Sequence, residues 1–216
     1  MEKTNIKDRV ILYVSGHGLL DKKYDFYYAT YDVDFKNFGD KGLAYDDIEK
    51  LLDKIPARKK LLLMDACHSG EVDKDAMSIK IPTNSIAKNE AKKVNVVFKS
   101  KGVGEDMQSA SNLGLSNSFE LMQELFANLN NGNGTAVISA AAGNSYAYES
   151  DVWNNGVFTY SILHGLKDLA ADYNRDRRVS VAELQKFVSG EVQRLTQGAQ
   201  KPTARQEILE NDWLVW

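Results

Sequence analysis

The chain contains a single cysteine, Cys67, and one of its three histidines, His17, stands in a similar local sequence. Cys67 follows an apolar run in LLLMDACHSG, and His17 follows an apolar run in ILYVSGHG. A lone cysteine is often no more than a small buried hydrophobe. However, a thiol becomes a nucleophile as its thiolate, and a neighbouring imidazole can accept the proton. We therefore predict that Cys67 is a nucleophile, that His17 is its general base, and that the pair catalyses acyl transfer through a thioester.

Acyl transfer also needs donors for the oxyanion that develops on the attacked carbonyl group. The backbone N–H groups of Gly18 and Cys67 are the nearest candidates, so Gly18 is included in the predicted catalytic site. Gly16, Gly18 and Gly70 flank the two residues, and glycine permits tight turns and a close approach of substrate backbone. The sequence thus predicts a turn after each apolar run.

A parallel sheet would bring His17 and Cys67 together. Continuous apolar runs are typical of buried parallel strands, and they predict strands at Arg9–Ser15 and Leu61–Met64. Between them, apolar residues with helical spacing predict an amphipathic helix over Asp46–Ile55, ended by a proline. Strand, helix and strand in this order form a βαβ unit with parallel strands and a right-handed crossover. Ligands bind at the carboxyl edge of such sheets, where both runs end.

The remaining pattern is also that of an α/β protein. YDFYYATY predicts a short strand or hairpin arm, and the small apolar residues of TAVISAAA predict a third buried strand. Apolar residues with helical spacing predict three further helices, and Ser180 with Glu183 forms the capping-box pattern at the start of the last one. These helices are predicted at 118–129, 156–169 and 180–195. Between the second and third strands lies a polar, lysine-rich insertion, 71–116, with a short hairpin arm predicted at 94–98.

Composition limits the classes of function. The 216 residues suffice for one sizeable core, and 43% hydrophobic with 26% charged residues is ordinary for a soluble globular domain. The net charge of −3 gives no reason to expect nucleic acid or an anionic membrane as a partner. No apolar run has the length of a membrane span or the form of a secretory signal. A single cysteine forms no internal disulfide, which predicts a cytoplasmic protein.

The two boxes resemble those of a known family. SGHG and DACHSG are similar to the histidine and cysteine boxes of the caspase-like cysteine peptidases, closest to the metacaspase and bacterial caspase-homologue branch. VISAAAGNSYAYES resembles the strand and substrate loop of the small subunit in that family, NNGVFTYSILHGL resembles the helix behind it, and AQKPTA resembles its closing segment. The resemblance implies a caspase-like sheet of mainly parallel strands with helices on both faces. It divides a single domain, 1–216, into a large-subunit-like part, 1–70, an insertion or linker, 71–116, and a small-subunit-like part, 117–216.

The resemblance also implies a specificity. Asp65 matches the acidic residue on the floor of the metacaspase pocket for P1, the substrate residue before the cleaved bond, and Ser15 matches the serine beside it. Asp65 and Cys67 are two apart on one strand, so they share a face. Aspartate-cutting caspases carry glutamine at this position and an arginine in the small-subunit loop, whereas the loop here has Tyr148 and Glu149 and no arginine. We therefore predict a peptide or protein substrate with Arg or Lys at P1, contacted by Asp65, Ser15, Tyr148 and Glu149. The alternative is that Asp65 only accepts backbone hydrogen bonds in a turn.

The insertion occupies the position of the linker between the subunits of caspase relatives. Its lysines fit the predicted specificity, so self-cleavage in 71–116 is one expectation. A solvated loop kept polar by its lysines is the other.

The family normally has two strands and two helices before the histidine strand, and we expect these to be missing here. The RVILYV run would then be an exposed apolar edge, which proteins avoid. We therefore expect an upstream segment or a partner chain to complete the sheet. The competing function is a catalytically incomplete caspase-fold subunit or pseudoenzyme that acts as a protein-binding module.

No cofactor is predicted to be required. One Cys and three His without C-x-x-C or H-x-x-x-H spacing do not indicate a zinc site. Calcium is the open alternative, because oxygen-bearing side chains stand at positions 1, 3, 5, 9 and 12 of a twelve-residue loop. These residues are Asp172, Asn174, Asp176, Ser180 and Glu183. Arg177, however, stands where an EF-hand has glycine.

Overall fold

A computed structural model of the protein describes residues 4–21, 25–34, 37, 39–67, 77–82, 93–100, 135–141, 147–150, 153–204 and 212–216. The predicted helix at 118–129 and Gly70 lie outside these ranges. Within them, no helix combines the length and the apolar composition that crossing a membrane requires.

The main sheet has three parallel strands at its centre. These are β1 (Arg9–Leu20), β4 (Lys59–Cys67) and β7 (Thr135–Ser139), with β4 in the middle. Short antiparallel strands extend the sheet on both sides: β2 (Phe26–Tyr28) and β3 (Leu43–Ala44) beyond β1, and β10 (Thr203–Ala204) beyond β7. The strand order is β10-β7-β4-β1-β2-β3. The sheet is therefore mixed and mostly parallel at its core, as the sequence predicted.

Helices cover both faces of this sheet. Helix α1 (Tyr45–Asp53) packs on one face, where Leu62 and Met64 point. Helices α2 (Val157–Lys167) and α3 (Val181–Leu195) pack on the other, where Leu61 and Leu63 point. Successive residues of β4 thus supply two separate apolar cores, which is why the strand is apolar at every position from 61 to 64. The α/β prediction is confirmed.

Two strands run further than the sequence predicted. β1 continues through Gly16, His17 and Gly18, and β4 continues to Cys67. The predicted turn at Gly16 and Gly18 is wrong, because Gly16 and His17 pair with β4 and Gly18 pairs with β2, which keeps the backbone extended. His17 is consequently a strand residue.

The capping box at the start of α3 is confirmed. The Glu183 N–H donates to Ser180 Oγ at 3.2 Å, and the Ser180 N–H donates to Glu183 Oε2 at 3.0 Å.

A second, antiparallel sheet joins the insertion to the later part of the chain. Its strands, in spatial order, are β5 (Met77–Pro82), β6 (Lys93–Ser100), β8 (Tyr148–Ser150) and β9 (Asn155–Gly156). β5 and β6 form a hairpin, and the predicted arm at 94–98 lies within β6. β6 also pairs with β8, which the sequence did not reveal.

Candidate active site

The register of the two central strands places His17 opposite Cys67. β1 and β4 pair in parallel from Arg9 opposite Lys59 up to His17 opposite Cys67. Neighbouring strands lie ~4.8 Å apart, so the backbones of these two residues are direct neighbours at the carboxyl edge of the sheet. The His17 side chain is exposed there. The structure therefore brings together the two positions that the sequence predicted as base and nucleophile.

Both positions belong to the face of the sheet that α2 and α3 cover. In β4, Leu63 faces that core, and Asp65 hydrogen bonds to α2. Alternate positions of a strand share a face, so position 67 belongs to the same face as positions 63 and 65. Because β1 and β4 are in register, Ser15 and His17 fall on the same face as Asp65. One end of one face therefore carries the predicted dyad positions together with the predicted specificity residues.

The Asp65 side chain hydrogen bonds to a helix. Its side chain is 1% exposed, and Oδ2 accepts a hydrogen bond from Thr159 Oγ1 of α2. Thr159 Oγ1 also lies 2.6 Å from the Tyr13 hydroxyl oxygen. Because the single Thr159 proton is given to the carboxylate, the Tyr13 hydroxyl must be the donor to Thr159. A directed chain thus runs from Tyr13 through Thr159 to Asp65.

Thr159 and Tyr13 contribute to this edge of the sheet, although sequence reasoning did not identify either of them. For Tyr13 a sequence signal existed, because the alternation of side chains along β1 places it on the same face as Asp65. For Thr159 no such signal existed, because its approach to Asp65 depends on how α2 packs on the sheet.

The negative charge of Asp65 influences its surroundings. Burial, and after it the nearby Asp65 carboxylate, raises the pKa of the Tyr28 phenol well above its ordinary value. A carboxylate in such a buried position interacts strongly with a cationic group that comes within reach.

Ser15 and Gly18 flank the dyad position on β1. Ser15 is exposed and pairs with Asp65 in the register, while Gly18 is buried. The His17 carbonyl oxygen accepts a hydrogen bond from Ala29 N–H at 2.9 Å, so this carbonyl points towards β2. In a trans peptide the C=O and the following N–H point in opposite directions. The Gly18 N–H consequently faces the β4 side of the strand, on which Cys67 lies.

The two predicted substrate contacts from the later part of the chain have different environments. Tyr148 is buried in the core beneath α2 and α3, and its backbone N–H donates to Gln200 Oε1 at 2.9 Å. Glu149 is exposed on β8. The Tyr148 ring therefore packs in the core, whereas Glu149 is accessible as it stands.

In the acidic loop before α3, backbone N–H groups of the loop donate hydrogen bonds to its carboxylates. Asp172 accepts hydrogen bonds from the backbone N–H groups of Asp176 at 3.1 Å and Arg177 at 2.8 Å, and Glu183 accepts from that of Asn174 at 3.2 Å. Arg177, at the usual glycine position, has a φ of 66°. Among the described residues, no group of three or more His, Cys, Asp or Glu side chains is arranged to hold a metal ion. Calcium binding stays a prediction, to be checked by calorimetry with Ca²⁺.

Comparison with known proteins gives a family and a fold. The family model described as "Caspase domain" matches residues 1–212. No curated protein matches the chain. Among solved structures, the crystal structure of protein GSU0716 from Geobacter sulfurreducens matches with a TM-score of 0.50 and 19% sequence identity, over 92% of this chain and 66% of that one. This likeness supports the fold alone, and the chain spans just under two thirds of that protein's length.

Proposed function

Because the chain belongs to the caspase domain family of cysteine peptidases, we propose that it is an endopeptidase that cleaves after arginine or lysine with His17 and Cys67 as its dyad. The observation that supports this most directly is the pairing of His17 with Cys67 at the carboxyl ends of adjacent parallel strands. Nucleophile and base are then held by the backbone of the sheet rather than by loops.

In the proposed reaction, the His17 imidazole accepts the proton of the Cys67 thiol. The thiolate attacks the scissile carbonyl carbon, a C–S bond forms, and the carbonyl π electrons move onto the oxygen. The N–H groups of Gly18 and Cys67 stabilise this oxyanion. When the intermediate collapses, the C–N bond breaks and the leaving amine takes the proton from His17. Water, deprotonated by His17, then hydrolyses the thioester and regenerates the thiol.

Asp65 is the residue that we assign to recognition of the basic P1 side chain. It is two residues before Cys67 on the same strand, and its carboxylate is buried. A guanidinium or ammonium group would form a charge-assisted hydrogen bond there, whereas an acidic P1 group would be repelled. Ser15, opposite Asp65, and the exposed Glu149 are the further proposed contacts.

We further propose that the chain belongs to the metacaspase-like branch and processes itself in the linker. Lys80 and Lys99 lie in paired strands of the second sheet, and a bond in a paired strand is a poor protease substrate. Self-cleavage is therefore expected after a lysine outside the hairpin, such as Lys74, Lys88 or Lys101.

The sheet also has an edge at which a further strand could add. Among the described strands, β2 pairs with β1 only over Gly18–Leu20, on the side away from β4. The earlier part of β1, Arg9–Val14, is an extended strand beyond that pairing, and such a strand suits β-strand addition. We propose that an additional segment or a partner chain pairs here, and that the protein works in the cytoplasm, where its thiol stays reduced.

Three fluorogenic peptides that differ only in Arg, Lys or Asp at P1 test the proposed function. The wild type is expected to cleave the Arg and Lys peptides and not the Asp peptide. Cys67→Ala should lower kcat/KM by about a thousandfold or more, and His17→Ala should lower it comparably, because the two act as a unit. Asp65→Asn should lower kcat/KM for the basic peptides by about 30-fold or more.

Asp47→Asn is the matched control, because Asp47 is an exposed acid on α1 that pairs only with Lys50 among the described residues. Cleavage that survives Cys67→Ala would exclude Cys67 as the nucleophile. Preference for the Asp peptide would exclude the role of Asp65. A folded wild type that cleaves none of the peptides would favour the protein-binding module instead.

A further inference from the structure

A buried glutamine connects the end of β7 to the start of β8. Gln200 is 0% exposed, its Nε2 donates to the Ala140 carbonyl oxygen at 2.9 Å, and its Oε1 accepts from the Tyr148 N–H at 2.9 Å. Ala140 follows β7 and Tyr148 begins β8, so one amide group closes the base of the loop between these strands. The two backbone groups need one donor and one acceptor, and of the side chains of this length only glutamine supplies both.

Gln200 is itself held from both directions along the chain. Its backbone N–H donates to Thr196 Oγ1 at 3.0 Å, and Thr196 Oγ1 donates to the Val192 carbonyl oxygen of α3 at 2.8 Å. After Gln200, Thr203 of β10 pairs with Ser139 of β7. The amide therefore has a fixed origin, set by the end of α3 and by the edge of the main sheet.

The β7 end that Gln200 contacts lies at the level of the candidate site. Ser139 pairs with Met64, and the Ala140 N–H donates to the Met64 carbonyl oxygen at 2.7 Å. Ala140 is thus next to Asp65 in the register. The far end of the loop continues into β8, where Glu149 is exposed.

We propose that Gln200 is a positioning residue for peptide substrate. By holding Ala140 and Tyr148 at a set separation, it sets the position of β8 relative to the sheet edge that carries Asp65 and Cys67. The residue touches neither the reacting atoms nor the substrate, so it acts on substrate binding and leaves the chemistry of the thiol unchanged. This inference rests on the proposed peptidase function.

Two substitutions of Gln200 by residues of nearly the same size test the hydrogen bonds of its amide group without changing the volume of the side chain. Gln200→Met removes both hydrogen bonds, and Gln200→Glu keeps the acceptor for Tyr148 N–H while placing a carboxylate against the Ala140 carbonyl oxygen. Both should raise KM for the Arg peptide about tenfold or more, with kcat changed less than about threefold. The rate at which iodoacetamide alkylates Cys67 should stay within about twofold of wild type, because that small reagent does not need a contact with β8.

Gln193→Met is the matched control. Gln193 is an exposed residue of α3 whose amide donates to Ser189 in its own helix, so the KM of this variant should equal that of wild type. An unchanged KM in both Gln200 variants would overturn the inference. So would a parallel fall of kcat and alkylation rate, or a failure of both variants to fold, because each would assign Gln200 to the stability of the domain alone. A wild type without Cys67-dependent cleavage refutes the proposed function itself, whereas an active wild type with unaffected Gln200 variants refutes only the role of Gln200.

Discussion

Thr159→Val tests the anchoring of Asp65 without requiring any enzymatic assay. Valine has nearly the same shape as threonine, so the substitution removes the hydroxyl that donates to Asp65 Oδ2 and leaves the packing of α2 in place. The Asp65 carboxylate is 1% exposed, and water does not readily take the place of the lost donor at such depth. The expected result is a less stable protein.

The magnitude follows from the charge on the acceptor. A hydrogen bond to a charged group contributes about 1.5–3 kcal/mol to the free energy of unfolding, compared with about 0.5–1.5 kcal/mol for a neutral pair. The Tyr13 hydroxyl also loses its partner, but Tyr13 is 44% exposed and water can accept from it. The net loss should therefore be about 1.5–3 kcal/mol. For a chain of this length that corresponds to a fall in the unfolding midpoint of about 3–12 °C.

Urea denaturation of four proteins measures this effect: wild type, Thr159→Val, Asp65→Asn and the double variant. In the Asp65→Asn background the acceptor is neutral, so Thr159→Val should cost about 1–1.5 kcal/mol less than in wild type. Thr159→Ser, which keeps the hydroxyl, is the control for loss of the methyl group. Equal stability of the Thr159→Val and Thr159→Ser variants, or the same penalty in both backgrounds, would refute the hydrogen bond to a carboxylate.

Three further predictions concern other parts of the molecule. Ser180→Ala removes one half of the capping box with Glu183 and should lower the free energy of unfolding by about 1 kcal/mol. Ser180→Thr keeps a hydroxyl and should lower it by much less. Equal losses in the two variants would contradict a stabilising role of the Ser180 hydroxyl. Arg194→Met removes the two hydrogen bonds, at 2.7 and 2.8 Å, to the nearly buried Glu191 carboxylate. It should lower the free energy of unfolding, measured by denaturant titration, by about 1–3 kcal/mol. Adding Glu191→Gln should restore part of this loss. Intact mass spectrometry should find fragments ending in lysine in the wild type and none in Cys67→Ala, and identical fragments from both proteins would reject self-processing.

The elements that could be predicted from the sequence are those whose signals are local. The capping box at Ser180 is recognisable because both of its hydrogen bonds join residues three apart. β4 was recognisable because it is buried on both faces. The extents of β1 and β4 were underestimated. Gly16 and Gly18 ordinarily indicate a turn, but pairing with the distant strands β4 and β2 keeps this backbone extended.

The second sheet was largely invisible for the same physical reason. β8 and β9 have three and two residues, which is too short for a periodic pattern, and β8 is stabilised by pairing with β6 across a long stretch of sequence. Such pairing leaves no trace in local composition. The approach of Thr159 to Asp65 and that of Gln200 to Ala140 and Tyr148 also join residues far apart in the chain, so no sequence pattern could have indicated them.

Different kinds of contact position the candidate dyad, His17 and Cys67, and the proposed specificity residue, Asp65. Substitutions should therefore be able to affect one without the other. The opposition of His17 and Cys67 is a property of strand register, because a slip of one residue between β1 and β4 would exchange the two faces and transfer Leu61 and Leu63 from one core to the other. The packing of the two apolar cores therefore disfavours any register slip that would separate His17 from Cys67. The Asp65 carboxylate, in contrast, accepts a hydrogen bond from the Thr159 hydroxyl of α2. Substitutions in α2 should consequently change the preference for a basic P1 residue before they change the reactivity of the thiol. Parallel measurement of cleavage after Arg and of Cys67 alkylation in Thr159→Val would show whether the two properties separate in this way.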